Sequence, residues 1–122
     1  MSKTEDIIDS DNLLRRILIH PDNFKDDNTV SSGSFKLRRL KNGNIENGLS
    51  VDIERLTTYE KSIIDRKKFR LYSIEAVYVR DLELTPIHDP LPENYAHALI
   101  KGKITKGKAR KLAASAKKIG LP

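Results

Sequence analysis

The chain has 122 residues, with 23 Lys and Arg against 17 Asp and Glu, three His, no Cys and no Trp. That length matches one domain, which buries roughly two-thirds of the surface its unfolded chain exposes and needs no metal or disulfide staple. The lack of cysteine rules out a disulfide framework, a thiolate zinc site and a Cys nucleophile.

The opening segment, MSKTEDIIDSDN, is acidic and polar and has no apolar h-region. It reads as a flexible or loosely docked lead-in over residues 1–12, and the expected location is cytoplasmic, with no secretory signal. No window approaches 18 consecutive apolar residues, so neither a transmembrane helix nor a membrane partner is expected. A single α+β domain is expected over 13–122.

Leu13 to Ile19 is apolar except for Arg15 and Arg16, and turn residues bound it on both sides, which predicts a strand. The polar run 21–28 predicts a loop. A second strand is expected around Ser34–Leu40, followed by Lys41–Gly48 with two Asn-Gly pairs suited to tight turns. Leu49-Ser50-Val51-Asp52-Ile53 alternates with period two, placing Leu49, Val51 and Ile53 on one face. Together, 34–40 and 49–53 predict a hairpin.

Thr57 and Glu60 have capping-box spacing and predict a short helix to about Lys68. Residues 70–88 fit both helix and strand periods. The preferred reading is a helix over 74–82 and a short strand over 83–87. Pro86, Pro90 and Pro92 mark an irregular crossing, and His97–Ile104 predicts the last strand. Thr105 caps a terminal helix expected over 106–119, with Ala109, Leu112, Ala113, Ala116 and Ile119 on its apolar stripe. The expected fold class is α+β: a small, mostly antiparallel sheet with two to three helices, including a basic C-terminal helix.

The charge is unevenly placed. Glu93 is the last acid, so residues 1–93 carry 15 cations and 17 acids, and the formal net charge of +6 arises entirely downstream. The eight cations there are Lys101, Lys103, Lys106, Lys108, Arg110, Lys111, Lys117 and Lys118. Such asymmetry points to nucleic acid or an acidic protein surface as partner. A solvated lysine-rich helix without a partner is the alternative. Arg110 is the one arginine among these lysines, and no aromatic residue follows Tyr95. Nucleic acid would therefore be held by its backbone and not read by its bases.

The best-known phosphate, dinucleotide, zinc-protease and serine-hydrolase motifs are absent, so no cofactor is expected. His20, His88 and His97 lie near Asp residues, but no spacing puts two ligands on one helical turn, so no metal is expected. A second constellation gathers Arg15, Arg16, Ser31, Ser32, Ser34, Lys36, Ser50 and Asp52 in or beside predicted strands. Hydroxyls and cations on a sheet face can hold a phosphate, with Asp52 or His97 as general base. The catalytic candidates are thus Arg16, Ser32, Ser34, Ser50, Asp52 and His97, and an ordinary polar outer face is the competing explanation.

Three segments, Ser31-Ser32-Gly33-Ser34-Phe35-Lys36, Gly48-Leu49-Ser50-Val51-Asp52 and Pro92-Glu93-Asn94-Tyr95-Ala96-His97-Ala98, carry a family-like pattern. It resembles a group of small uncharacterised bacterial proteins with Ser-Ser-x-x-Phe-Lys, Gly-Leu-Ser-Val and Pro-x-Asn-x-Ala-His segments. The resemblance implies a self-contained bacterial domain over roughly 13–115, and supplies no mechanism.

The leading expectation is a small binding or accessory protein that uses its basic C-terminal helix. The alternatives are a small enzyme acting on a nucleotide or RNA phosphate, such as a ribosyltransferase-like or nuclease-like toxin, and a non-catalytic subunit of a larger complex. For a subunit, Phe35, Tyr59, Tyr72 and Tyr78 are the candidate anchors.

Overall fold

The first strand, β1 (Asn12–Leu18), carries apolar side chains on both faces because both faces of the sheet are covered there. Leu13 and Ile17 enter the main core on one face, and Leu14 enters a smaller cluster with Ile63 and Leu71 on the other. A computed structural model describes residues 4–25, 29–37 and 41–119. The remaining elements are β2 (Leu49–Ile53), α1 (Tyr59–Ile63), β3 (Phe69–Glu75), α2 (Ala76–Asp81), β4 (Thr85–His88), β5 (His97–Lys101), α3 (Lys106–Ser115) and β6 (Lys117–Ile119).

Among the described residues, six strands form one sheet in the order β4-β5-β2-β1-β3-β6, with every neighbour antiparallel. With three α-helices beside it, the fold is α+β. Helix α3 lies on the main-core face, where Ala109 and Leu112 are fully buried with Phe35. Helix α1 covers the opposite face over β1 and β3.

The expected hairpin of 34–40 with 49–53 does not form. The neighbours of β2 are β1 and β5, while Ser32–Phe35 makes one turn of 3-10 helix. Both edges of β2 are already paired, so no edge is left for 34–40, and the 3-10 turn instead carries Phe35 fully buried into the core. Residues 38–40 lie outside the described set.

Other boundaries move for local reasons. The helix cap is Thr58, whose hydroxyl accepts from the Lys61 amide, and Ile64 at φ 66 ends the helix well before Lys68. Residues 69–75 form a strand because Leu71 and Tyr72 serve opposite faces, which hides the period-two signal. The chain then turns into α2, and the following strand starts at Thr85, not at 83. Gly102 at φ 128 ends β5, and a Cβ there would stand 2.9 Å from Leu84 Cδ2.

The terminal helix also stops early. Ala116 is extended, and Lys117–Ile119 pair with β3, so Lys117 and Lys118 leave the helix and Ile119 joins the cluster around Leu71. The edge of β3 supplies backbone partners that a longer helix would have left open.

The acidic lead-in is tied down from residue 5 to residue 11. Arg55 donates to Glu5, Asp11 and the Asp6 carbonyl, while Arg80 donates to Asp9 and to the Ile7 carbonyl. Ile7 is buried in the main core. The two arginines pair with three of the four carboxylates of the run, Glu5, Asp9 and Asp11, and fasten it as a strap.

Candidate functional site

The catalytic candidates fall on two sides of the sheet. Arg16, Ser50, Asp52 and His97 share the outer face, since Asp52 lies opposite both Leu14 and His97 in the ladders. Ser32 and Ser34 belong to the 3-10 turn that carries Phe35 into the core on the other face. The six residues do not line one cleft.

On the outer face, both Asp52 oxygens are engaged. Oδ2 accepts from Ser62 Oγ at 2.7 Å and Oδ1 from Asn94 Nδ2 at 2.8 Å. Asp52 and Ser62 are both buried. Arg16 donates to the Ser62 carbonyl at 2.9 Å and stacks over Phe69. His97 Nδ1 sits 2.9 Å from the Asp89 carbonyl and 3.3 Å from its carboxylate. These contacts fasten α1 and the turn before β5 onto the sheet. They occupy both oxygens of Asp52, whereas His97 is held through Nδ1 alone, with Nε2 making no hydrogen bond among the described residues. Asn94 stands within the Pro-x-Asn-x-Ala-His segment, whereas Ser62 carries no signal in the sequence.

On the other face, Arg15 is buried and structural. The β1–β2 ladder holds only Leu13 with Ile53 and Leu14 with Asp52. Beyond it, Arg15 donates from Nη1 to the Ser50 carbonyl and from Nε to the Ser34 carbonyl, both at 2.8 Å. Its guanidinium also lies 5.6 Å from the Phe35 ring centre. Ser31 Oγ donates to the Asp22 carbonyl, and Ser34 Oγ is buried without a partner among the described residues.

The histidines serve local structure. His20 accepts from the Asp22 amide. Buried His88 accepts at Nδ1 from the Glu5 amide at 2.7 Å, which leaves Nε2 to donate to the Tyr95 carbonyl at 2.6 Å. Tyr95 donates its hydroxyl to Glu5. The Arg55 and Tyr95 hydrogen bonds hold the Glu5 carboxyl below its ordinary range, and Glu5 in turn raises both Arg55 and Tyr95. Among the described residues, no group of three or more His, Asp or Glu is arranged to hold a metal ion. Of the four candidate anchors, Phe35 and Tyr72 are buried, and Tyr59 and Tyr78 are partly buried against the two clusters.

The downstream cations are placed differently. Lys103, Lys106, Arg110, Lys111, Lys117 and Lys118 are exposed, and Lys101 and Lys108 half-buried. None of the eight joins an ion pair among the described residues, where the pairs run from Arg55 and Arg80 to the acidic strap and from His20 and His97 to nearby Asp. Lys106 and Lys108 lie in the first turn of α3, which has no acidic residue. A helix N-terminus is already positive, so lysines there repel the macrodipole.

Lys36 extends this basic region from a distant part of the chain. Together with Lys103 and Lys106 it rims a hollow of about 360 Å³ whose apolar lining is Leu37, Ile45 and Ile104. The sequence places these two segments some sixty residues apart, and only the packing of the 3-10 turn beside α3 joins them.

Comparison of the chain with protein-family models, curated proteins and solved structures finds no match. No helix among the described residues is long and apolar enough to cross a membrane.

Proposed function

We propose that the protein is a small binding or accessory protein whose basic surface, from Lys101 to Lys118, engages a polyanion: a nucleic-acid backbone or an acidic protein surface. One observation carries the reading: among the described residues none of the eight cations downstream of Glu93 has a carboxylate partner, while Arg55 and Arg80 pair with Glu5, Asp9 and Asp11 of the strap. Cations left unpaired, two of them at the positive end of a helix, gain most from an external anion. Contacts of this kind release counterions, so binding weakens steeply as salt rises.

The basic segment is part of the fold and not a detachable arm. Deleting it would remove Ala109 and Leu112 from the core, so the cations must be tested by neutralisation. The combined variant Lys103→Gln, Lys106→Gln, Arg110→Gln, Lys111→Gln changes only exposed positions. On a heparin column the parent protein is retained and released by salt, and the variant elutes earlier. Equal retention of the two proteins would refute the reading.

A further inference from the structure

Resting on that reading, we propose that the hollow between Lys36 and the start of α3 seats an apolar side chain of an acidic peptide segment, which makes the polyanion a protein and not a nucleic acid. Three of the six lining residues are cations, Lys36, Lys103 and Lys106, all exposed and free of acid partners among the described residues. The floor is apolar. Leu37 and Ile104 pack against the main core and are held by it, while Ile45 stands 59% exposed, among the most exposed large aliphatic side chains of the protein.

Charge complementarity alone would suit any polyanion; the floor is what discriminates. A sugar-phosphate backbone has no apolar substituent to fill it, and base stacking calls for an aromatic platform that the lining lacks. At about 360 Å³ the hollow is at the small end of ligand pockets, with room for a large apolar side chain and the peptide groups beside it. The lysine stems add apolar wall while their ammonium groups reach flanking carboxylates. Uncovered, Ile45 keeps apolar area in water that such an anchor would remove.

Three probes of similar charge test this by fluorescence anisotropy. The first is a short Glu/Asp peptide with one central Leu, the second is the same peptide with Ser in its place, and the third is a single-stranded oligonucleotide. The expected result is that the Leu peptide binds about tenfold tighter than the Ser peptide, the scale of burying one aliphatic side chain. The exposed substitution Ile45→Ser removes that advantage while salt-dependent binding of the Ser peptide persists. Equal affinity for the Leu and Ser peptides, or tighter binding of the oligonucleotide, overturns the anchor proposal and leaves the polyanion reading standing. Failure of all three probes to bind overturns both.

Discussion

Asp52 and Ser62 close a buried hydrogen bond of 2.7 Å that joins the middle of the sheet to α1. Because Asn94 takes the other carboxylate oxygen, Asp52 is a fastener between three elements. Ser62→Ala should leave one buried oxygen without its donor and lower stability by about 1–3 kcal/mol, and Asp52→Ala should cost more by orphaning two partners. Denaturant unfolding measures both. An unchanged midpoint in Asp52→Ala would show that the bonds contribute nothing to folding.

Arg15 replaces the backbone ladder that β1 and β2 do not make. Arg15→Leu removes the donors to the part-buried Ser34 and Ser50 carbonyls, and each lost bond should cost about 1 kcal/mol. Arg15→Lys should recover only part of this, because an ammonium lacks the planar fork that reaches both carbonyls. Equal stability of the Lys variant and the parent, by thermal or denaturant unfolding, would contradict the bridging role.

Leu112 tests whether the basic helix belongs to the core. It is fully buried against the sheet, so Leu112→Ala should cost about 2–5 kcal/mol. A cost near zero would mean that α3 is docked too loosely to hold its cations in place.

The strap over residues 5–11 should loosen in acid. Glu5 is held below its ordinary value of 4.5 by Arg55 and then by Tyr95, so its contribution is present above pH 4.5 and fades as pH falls through the lowered value. Amide exchange at residues 5–8 should therefore accelerate below about pH 4.5, and Glu5→Gln should show the faster exchange already at neutral pH. Exchange that is independent of pH after correction for intrinsic rates would contradict the Glu5–Arg55 attachment.

Where the apolar side chains of an element lie on one face, its pattern is plain in the sequence. Alternation of Leu49, Val51 and Ile53 marked β2, and the Ala109, Leu112, Ala113 spacing marked α3. The strand period is hidden in β3, where adjacent Leu71 and Tyr72 enter different clusters and the apolar spacing also fits a helix. Reading failed where tertiary pairing overrides helix propensity, as at Lys117–Ile119. Of the candidate site, the unpaired cations were legible because they follow the last acid. The apolar floor at Leu37 and Ile45 was not, since one isolated Ile among Asn and Gly residues signals no partner. The serines, Arg16, Asp52 and His97 were legible as a polar set, but the sheet that separates them was not.

The proposed role rests on the exposed cations of α3 and its entrance as the holders of a polyanion. The most direct measurement is the affinity of a fluorescent polyglutamate across a series of salt concentrations, for the parent and for Lys103→Gln, Lys106→Gln, Arg110→Gln, Lys111→Gln combined. The parent should bind, weaken as salt rises, and lose most of that affinity and of its salt dependence in the variant. Equal affinity and equal salt dependence in the two proteins would contradict the account.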